Sequence, residues 1–126
     1  MPDARRPRPD PRRALGARGE QAVAECYERA GYEVLDRNWR CREGELDLVL
    51  GVGRTVVFCE VKTRGSDAFG APVEAVTRTK RQRLRVLAAR WLVDRGRAVR
   101  ELRFDVASVR WSPDADLVID VVEGAF

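Results

Sequence analysis

At 126 residues the chain is long enough for one domain, with little left over for a second. Apolar residues make up 44% but aromatics only 7%, so Val, Leu and Ala are expected to dominate the core, and no run approaches the roughly 18 apolar residues of a membrane span. Histidine is absent, which excludes Ser-His and Cys-His hydrolysis and His-ligated zinc.

The three cysteines, Cys26, Cys41 and Cys59, form no close pair, which fits a reducing compartment rather than a disulfide frame. The first residues lack the apolar stretch of a secretory signal, so the expected location is the cytoplasm, off the membrane. Chemistry must then come from carboxylates, lysine and a metal that prefers oxygen ligands.

Residues 1–17 read as a disordered basic tail, followed by a single domain over residues 18–126. Residues 1–18 hold six arginines against Asp3 and Asp10, a surplus equal to the net charge of +4 of the whole chain. Four of the six prolines also fall there. A flexible basic arm suits nucleic-acid phosphates, and equally a solubilising leader.

Residues 18–30 read as a helix stopped by Gly31, with Val23, Tyr27 and Ala30 on its apolar stripe and Glu20 on the same stripe. Residues 34–39 form a short edge strand. Residues 45–50 alternate, with Leu46, Leu48 and Leu50 predicted on one face and Glu45, Asp47 and Val49 on the other. Residues 56–62 follow a turn-like stretch, placing Val57, Cys59 and Val61 opposite Val56, Phe58, Glu60 and Lys62. Residues 65–72 are a loop. Residues 79–95 form a second helix with Leu84, Leu87, Ala88, Trp91 and Leu92 at helical spacing. Strands over residues 103–109 and 117–122 flank a turn at Ser112-Pro113-Asp114. The fold class is α/β, in the order α-β-β-β-α-β-β. A helix joining the third strand to the fourth implies a parallel pair.

A hairpin closing over residues 52–55 pairs Gly51 with Val56. That register sets Asp47 opposite Glu60 and Glu45 opposite Lys62, with facing Cβ atoms about 5 Å apart. Two such carboxylates repel unless a cation such as Mg²⁺ or Mn²⁺ lies between them. The chain carries 24 cations, only two of them lysine, so Lys62 beside the paired acids stands out. Lysine, unlike arginine, can give up a proton to orient or deprotonate a water. Glu20 is aimed at the sheet by its helical stripe. Glu45 is expected to pair with Lys62 or Arg42, and Asp105 with a neighbouring arginine. From Arg78 to Arg100 nine cations face a single interior acid, Asp94, a helix suited to phosphate contact.

These residues resemble a known pattern. Asp47 followed by Glu60-Val61-Lys62 resembles the Asp…Glu-x-Lys signature of restriction-endonuclease-like nucleases, and Gly19-Glu20 matches the helix-borne acid of archaeal-type Holliday junction resolvases. More specifically, the chain resembles the YraN family of small bacterial proteins. The match runs through Gly19-Glu20, Gly31-Tyr32, Arg37-Asn38-Trp39-Arg40 and Gly44-Glu45-Leu46-Asp47-Leu48. It continues through residues 57–64, Phe69-Gly70-Ala71-Pro72, Lys80 and Arg103-Phe104-Asp105-Val106. The resemblance implies a restriction-endonuclease-like mixed sheet flanked by helices. It also implies a site in which Asp47 and Glu60 bind Mg²⁺ (or Mn²⁺), Glu20 assists and Lys62 positions the attacking water. The expected activity is Mg²⁺-dependent endonucleolytic cleavage of branched or structured DNA, with Arg40, Arg64, Lys80, Arg81 and Arg85 as backbone contacts and a homodimer where a symmetric junction is resolved. The alternative is a catalytically weak nucleic-acid-binding or partner-recruiting module on the same fold.

Overall fold

The computed structural model describes residues 11–64, 76–96, 101–112 and 117–126. Its elements are α1 (Pro11–Arg29), β1 (Glu33–Cys41), β2 (Gly44–Val52), β3 (Thr55–Arg64), α2 (Arg78–Arg95), β4 (Glu101–Trp111) and β5 (Leu117–Val122). They follow the predicted order. The predicted loop over residues 65–72, and Pro113 and Asp114 of the predicted turn, lie outside the described residues.

The five strands form one sheet in chain order, β1-β2-β3-β4-β5. β3 and β4 run parallel, joined through α2, and every other neighbouring pair is antiparallel. β1 lies at one edge as expected, but it is not short: at nine residues it is as long as β2. Gly51 pairs with Val56 as expected, but Val52 also pairs with Thr55, so the turn shrinks to Gly53-Arg54. Gly53 takes φ +56, the left-handed conformation that a two-residue hairpin turn requires.

One helix covers each face of the sheet. Val23, Ala24 and Tyr27 of α1 pack on Leu48, Leu50, Val57, Cys59, Ala107 and Val109. On the opposite face, Leu84, Leu87, Ala88 and Trp91 of α2 pack on Leu46, Val49, Val56, Phe58, Phe104 and Val106. Trp91 meets Phe58 edge to face at 5.8 Å. Thr77 caps the start of α2 by accepting from Lys80 N, and Gly96 closes its end with φ +58. No helix among the described residues is long and apolar enough to cross a membrane.

Three expectations need correction. α1 starts at Pro11, so residues 11–17 of the predicted disordered tail are helical, while residues 1–10 lie outside the described residues. Proline composition masked this: Pro11 is the last proline of the stretch, and proline is well suited to a first helical turn, where its missing N–H costs nothing. Ala30 is exposed rather than on the apolar stripe, because α1 ends at Arg29, and Ala24 joins Val23 and Tyr27 in the core instead. Leu46 belongs to the α2 face, opposite Leu48 and Leu50, so the alternation of β2 breaks at Asp47.

Candidate active site

The break at Asp47 builds the site. The backbone ladder between β2 and β3 ends at Leu48↔Cys59, while β3 continues beside β4 as far as Arg64↔Arg110. Beyond Leu48 the two strands part. The carboxylate of Asp47 crosses the gap, and its Oδ2 accepts a 2.9 Å hydrogen bond from Val61 N. Asp47 and Glu60 are thus neighbours at the mouth of a parted hairpin, close to the predicted cross-strand opposition.

Glu60 is the buried member, 7% exposed. Its Oε1 accepts from two ammonium groups, Lys80 Nζ at 2.6 Å and Lys62 Nζ at 3.3 Å. Lys62 stands two residues along its own strand. Lys80 comes from the first turn of α2, so the site draws on both helical layers. Lys80, expected as a backbone contact on the basic helix, is therefore part of the carboxylate site. Its place one turn after the capping Thr77 is the sequence signal for this: the cap fixes where the helix begins and hence which side chain overhangs β3.

Glu20 approaches from the α1 side. Gly19, buried before it, lets the helix lie directly on β3: a Cβ built at Gly19 would fall 2.3 Å from Thr63 Oγ1. Glu20 is half-buried and feels the charges of Glu45 and Glu60. Its partner is Asn38, whose amide, in the orientation that satisfies its neighbours, donates to Glu20 Oε2 at 3.0 Å and to Glu45 Oε1 at 3.0 Å. Two clefts open on this cluster. One of about 390 Å³ is lined by Leu15, Gly16, Glu20, Val61, Lys62 and Thr63. The other, of about 260 Å³, includes Asp47, Glu60, Lys80 and Arg83.

The electrostatics follow from burial and like charge. Burial, with the charge of Glu60, pushes Asp47 up to about 7, against the opposing hydrogen bond from Val61. Burial also raises Glu20, opposed by the Asn38 amide and reinforced by Glu45 and Glu60. Burial and the neighbouring Lys80 lower Lys62, against the pull of Glu60. Burial alone would lower Lys80 too, but its hydrogen bond to Glu60 prevails and raises it. The result is a pair of carboxyls, one of them favouring its neutral form, beside two ammonium groups whose environments push them in opposite directions.

Among the described residues no three Asp, Glu or Cys side chains stand close enough together to hold a metal ion. The expected set of Glu20, Asp47 and Glu60 is therefore a group of electrostatic neighbours, not a closed three-carboxylate cage. Protein donors explain this: Val61 N holds Asp47, two ammoniums hold Glu60, and Asn38 holds Glu20. The Asp47–Glu60 pair nonetheless fits Mg²⁺, an ion usually held by one or two carboxylates that keeps several of its waters. Burial raises Asp47 most, and the repulsion from Glu60 that adds to it is what such an ion would neutralise.

Other predicted residues have other partners. Glu45 pairs with Arg40 across β1–β2 at 3.4 Å, not with Lys62 or Arg42, because the parted hairpin carries Lys62 away from it. Arg81 and Arg85 lie over the ring of Phe126, with Arg85 also over Phe104. Arg90 and Arg95 are tied to Glu43 and Asp36. Much of the basic helix is thus engaged within the molecule. Arg64 ends β3 beside Arg110 of β4. Asp105 pairs with an arginine as expected, gripped by Arg103 at 2.9 Å, and is fully buried with Tyr27 Oη donating at 2.7 Å and Gly124 N at 3.0 Å. It is a structural anchor. Cys59 is no nucleophile near neutral pH, since burial pushes its thiol up to about 12.

Comparison with known sequences adds one family. The model described as "Uncharacterised protein family UPF0102" matches residues 19–109. The chain is 49% identical over 115 residues to a UPF0102 protein of Nocardia farcinica, covering 91% of each chain. It is 57% identical over 96 residues to one of Beutenbergia cavernae, covering 76% of this chain and 81% of that one. A third, from Moorella thermoacetica, is 47% identical over 117 residues and is covered over 97% of its length.

Proposed function

The chain belongs to the UPF0102 (YraN) family, and from that membership and the carboxylate–lysine site we propose a Mg²⁺-dependent endonuclease that hydrolyses phosphodiester bonds of branched or otherwise structured DNA. The observation that carries it is the buried Glu60 carboxylate, shared by Lys62 and Lys80 beside an Asp47 whose pKa is raised to about 7. A purely structural ion pair needs one cation and no second acid. An acid pair with Lys80 in one cleft, and Lys62 opening on the next, suits a reaction in which negative charge grows on a phosphate.

Asp47 and Glu60 would hold Mg²⁺, with Glu20 assisting. The bound ion supplies Lewis acidity, acidifying the attacking water and offsetting charge on the scissile phosphate. Lys62, held 3.3 Å from Glu60 on the same strand, would position that water. Lys80 keeps its charge, fixes the Glu60 carboxylate, and faces the same cleft as Arg83, where a phosphate would enter. Resolution of a symmetric junction needs two such sites and hence a homodimer.

A second reading, a nucleic-acid-binding module that barely cuts, is favoured by one observation: no three acids among the described residues close on a common point. Incubation with junction, flap and linear DNA plus Mg²⁺ or Mn²⁺ separates the two. The nuclease cleaves, and Asp47→Asn and Lys62→Ala each lose at least about a hundredfold in rate while still binding DNA, the range of a lost acid–base or charge-stabilising group. Binding without cleavage by the native protein supports the module. Cleavage that survives both substitutions places the chemistry elsewhere.

A further inference from the structure

We infer that Asn38 is a positioning residue of the carboxylate site, a role that rests on the metal-dependent reading above. Its left-handed backbone opens β1–β2 opposite Asp47, and its amide holds Glu20 toward the cluster without neutralising it.

Asn38 is the one non-glycine residue with positive φ among the described residues, at +50, in the interior of a strand. Asparagine tolerates this region far better than other side chains, so the position is chosen at a cost the fold accepts. The consequence is visible in the ladder. Arg37 pairs with Leu48 and Trp39 with Leu46, but Asn38 and Asp47, which that register sets opposite each other, form no backbone pair. At this point Leu46 moves to the α2 face while Leu48 and Leu50 stay on the α1 face. The same point frees Asp47 to reach Val61 N on the far side.

The side chain performs a second task. A single amide NH₂ serves two carboxylates, Glu20 on α1 and Glu45 on β2, each at 3.0 Å. Glu45 has Arg40 as well, whereas Glu20 has neither lysine nor arginine in ion-pair contact among the described residues. A lysine or arginine at position 38 would neutralise Glu20. A neutral amide instead orients it and leaves its charge for a cation. The geometry therefore couples the bent strand, the helix-borne acid and the Asp47–Glu60 pair through one residue.

Two variants separate backbone from amide. Asn38→Gly keeps the left-handed freedom and removes the donor; Asn38→Asp keeps much of that freedom and replaces the donor with a carboxylate. The readouts are the metal-free melting temperature and the Mn²⁺ dissociation constant by calorimetry, in native and Glu20→Gln backgrounds. Asn38→Gly should melt within a few degrees of native protein and bind Mn²⁺ about tenfold or more weakly, as supporting groups around a metal typically do when lost, whereas Asn38→Asp, which adds a carboxylate beside Glu20 and Glu45, should melt lower without metal and regain stability on adding Mn²⁺. In Glu20→Gln, adding Asn38→Gly should change affinity less than about twofold. Native Mn²⁺ affinity in Asn38→Gly, an undiminished loss in the Glu20→Gln background, or unfolding of Asn38→Gly would each overturn the role. An Asp47→Asn variant that binds Mn²⁺ as tightly as native protein would instead remove the metal site itself, and the role with it.

Discussion

Asp47 is held in an environment that favours its neutral form. Its folded pKa, about 7, lies above the ordinary carboxylate value of 3.8. A group raised on folding contributes stability fully present below its unfolded pKa, and that contribution is lost as pH rises through the folded value. The metal-free protein should therefore lose about 3 kcal/mol between pH 5 and pH 8, at 1.36 kcal/mol per pH step up to the folded value, the window where only the folded state keeps the proton. Thermal unfolding of native and Asp47→Asn protein across that range checks it: the variant should show a flatter profile, and parallel profiles would refute the assignment. Asp47, Glu60 and Lys62 were legible in the sequence because hairpin register and alternation are local rules. Asn38 was not, since an asparagine inside a strand-like run gives no outward sign that it takes a left-handed φ. Leu46 was misplaced for the same reason: alternation holds only while the ladder is unbroken.

At the level of elements, the site depends on how closely α1 lies on β3. Gly19 permits that approach, and the predicted 2.3 Å clash of an added Cβ with Thr63 Oγ1 gives it a measurable sign. Gly19→Ala alone should destabilise by about 1–2 kcal/mol, because overpacking outweighs the roughly 1 kcal/mol that alanine gains over glycine in a helix. In a Thr63→Ala background the same change should become stabilising by several tenths of a kcal/mol, as the propensity gain is left unopposed. Chemical denaturation of the four proteins measures this, and a Gly19→Ala effect of the same sign and size in both backgrounds would show that contact with Thr63 does not set the helix position. The boundaries of α2 and β5 were legible to within a residue, since their apolar periods and the stop at Gly96 are strong. The start of α1 was not, because proline content was read as disorder when its last member, Pro11, opens a helix.

For the whole molecule, a mixed sheet covered by one helix on each face brings acids and ammoniums from α1, β2, β3 and α2 to a single parted hairpin. The parallel pairing of β3 with β4 could be anticipated from the helix that joins them. The fate of the basic helix could not: Arg81 and Arg85 lie over Phe126 at the end of the chain, a long-range contact with no local signature. The two lysines make their ion pairs with Glu60, while Asp47 beside it accepts only from Val61 N, so the charge left at Asp47 when it loses its proton is the one a cation would relieve. At pH 8, where the proton is gone, a divalent cation should take its place. The most direct measurement is the shift in melting temperature on adding millimolar Mn²⁺ at that pH. Native protein should gain several degrees, as expected for a ligand in large excess over its dissociation constant, and Asp47→Asn and Glu60→Gln should gain little or nothing. Equal shifts in all three proteins, or no shift in the native one, would contradict a metal-binding carboxylate pair.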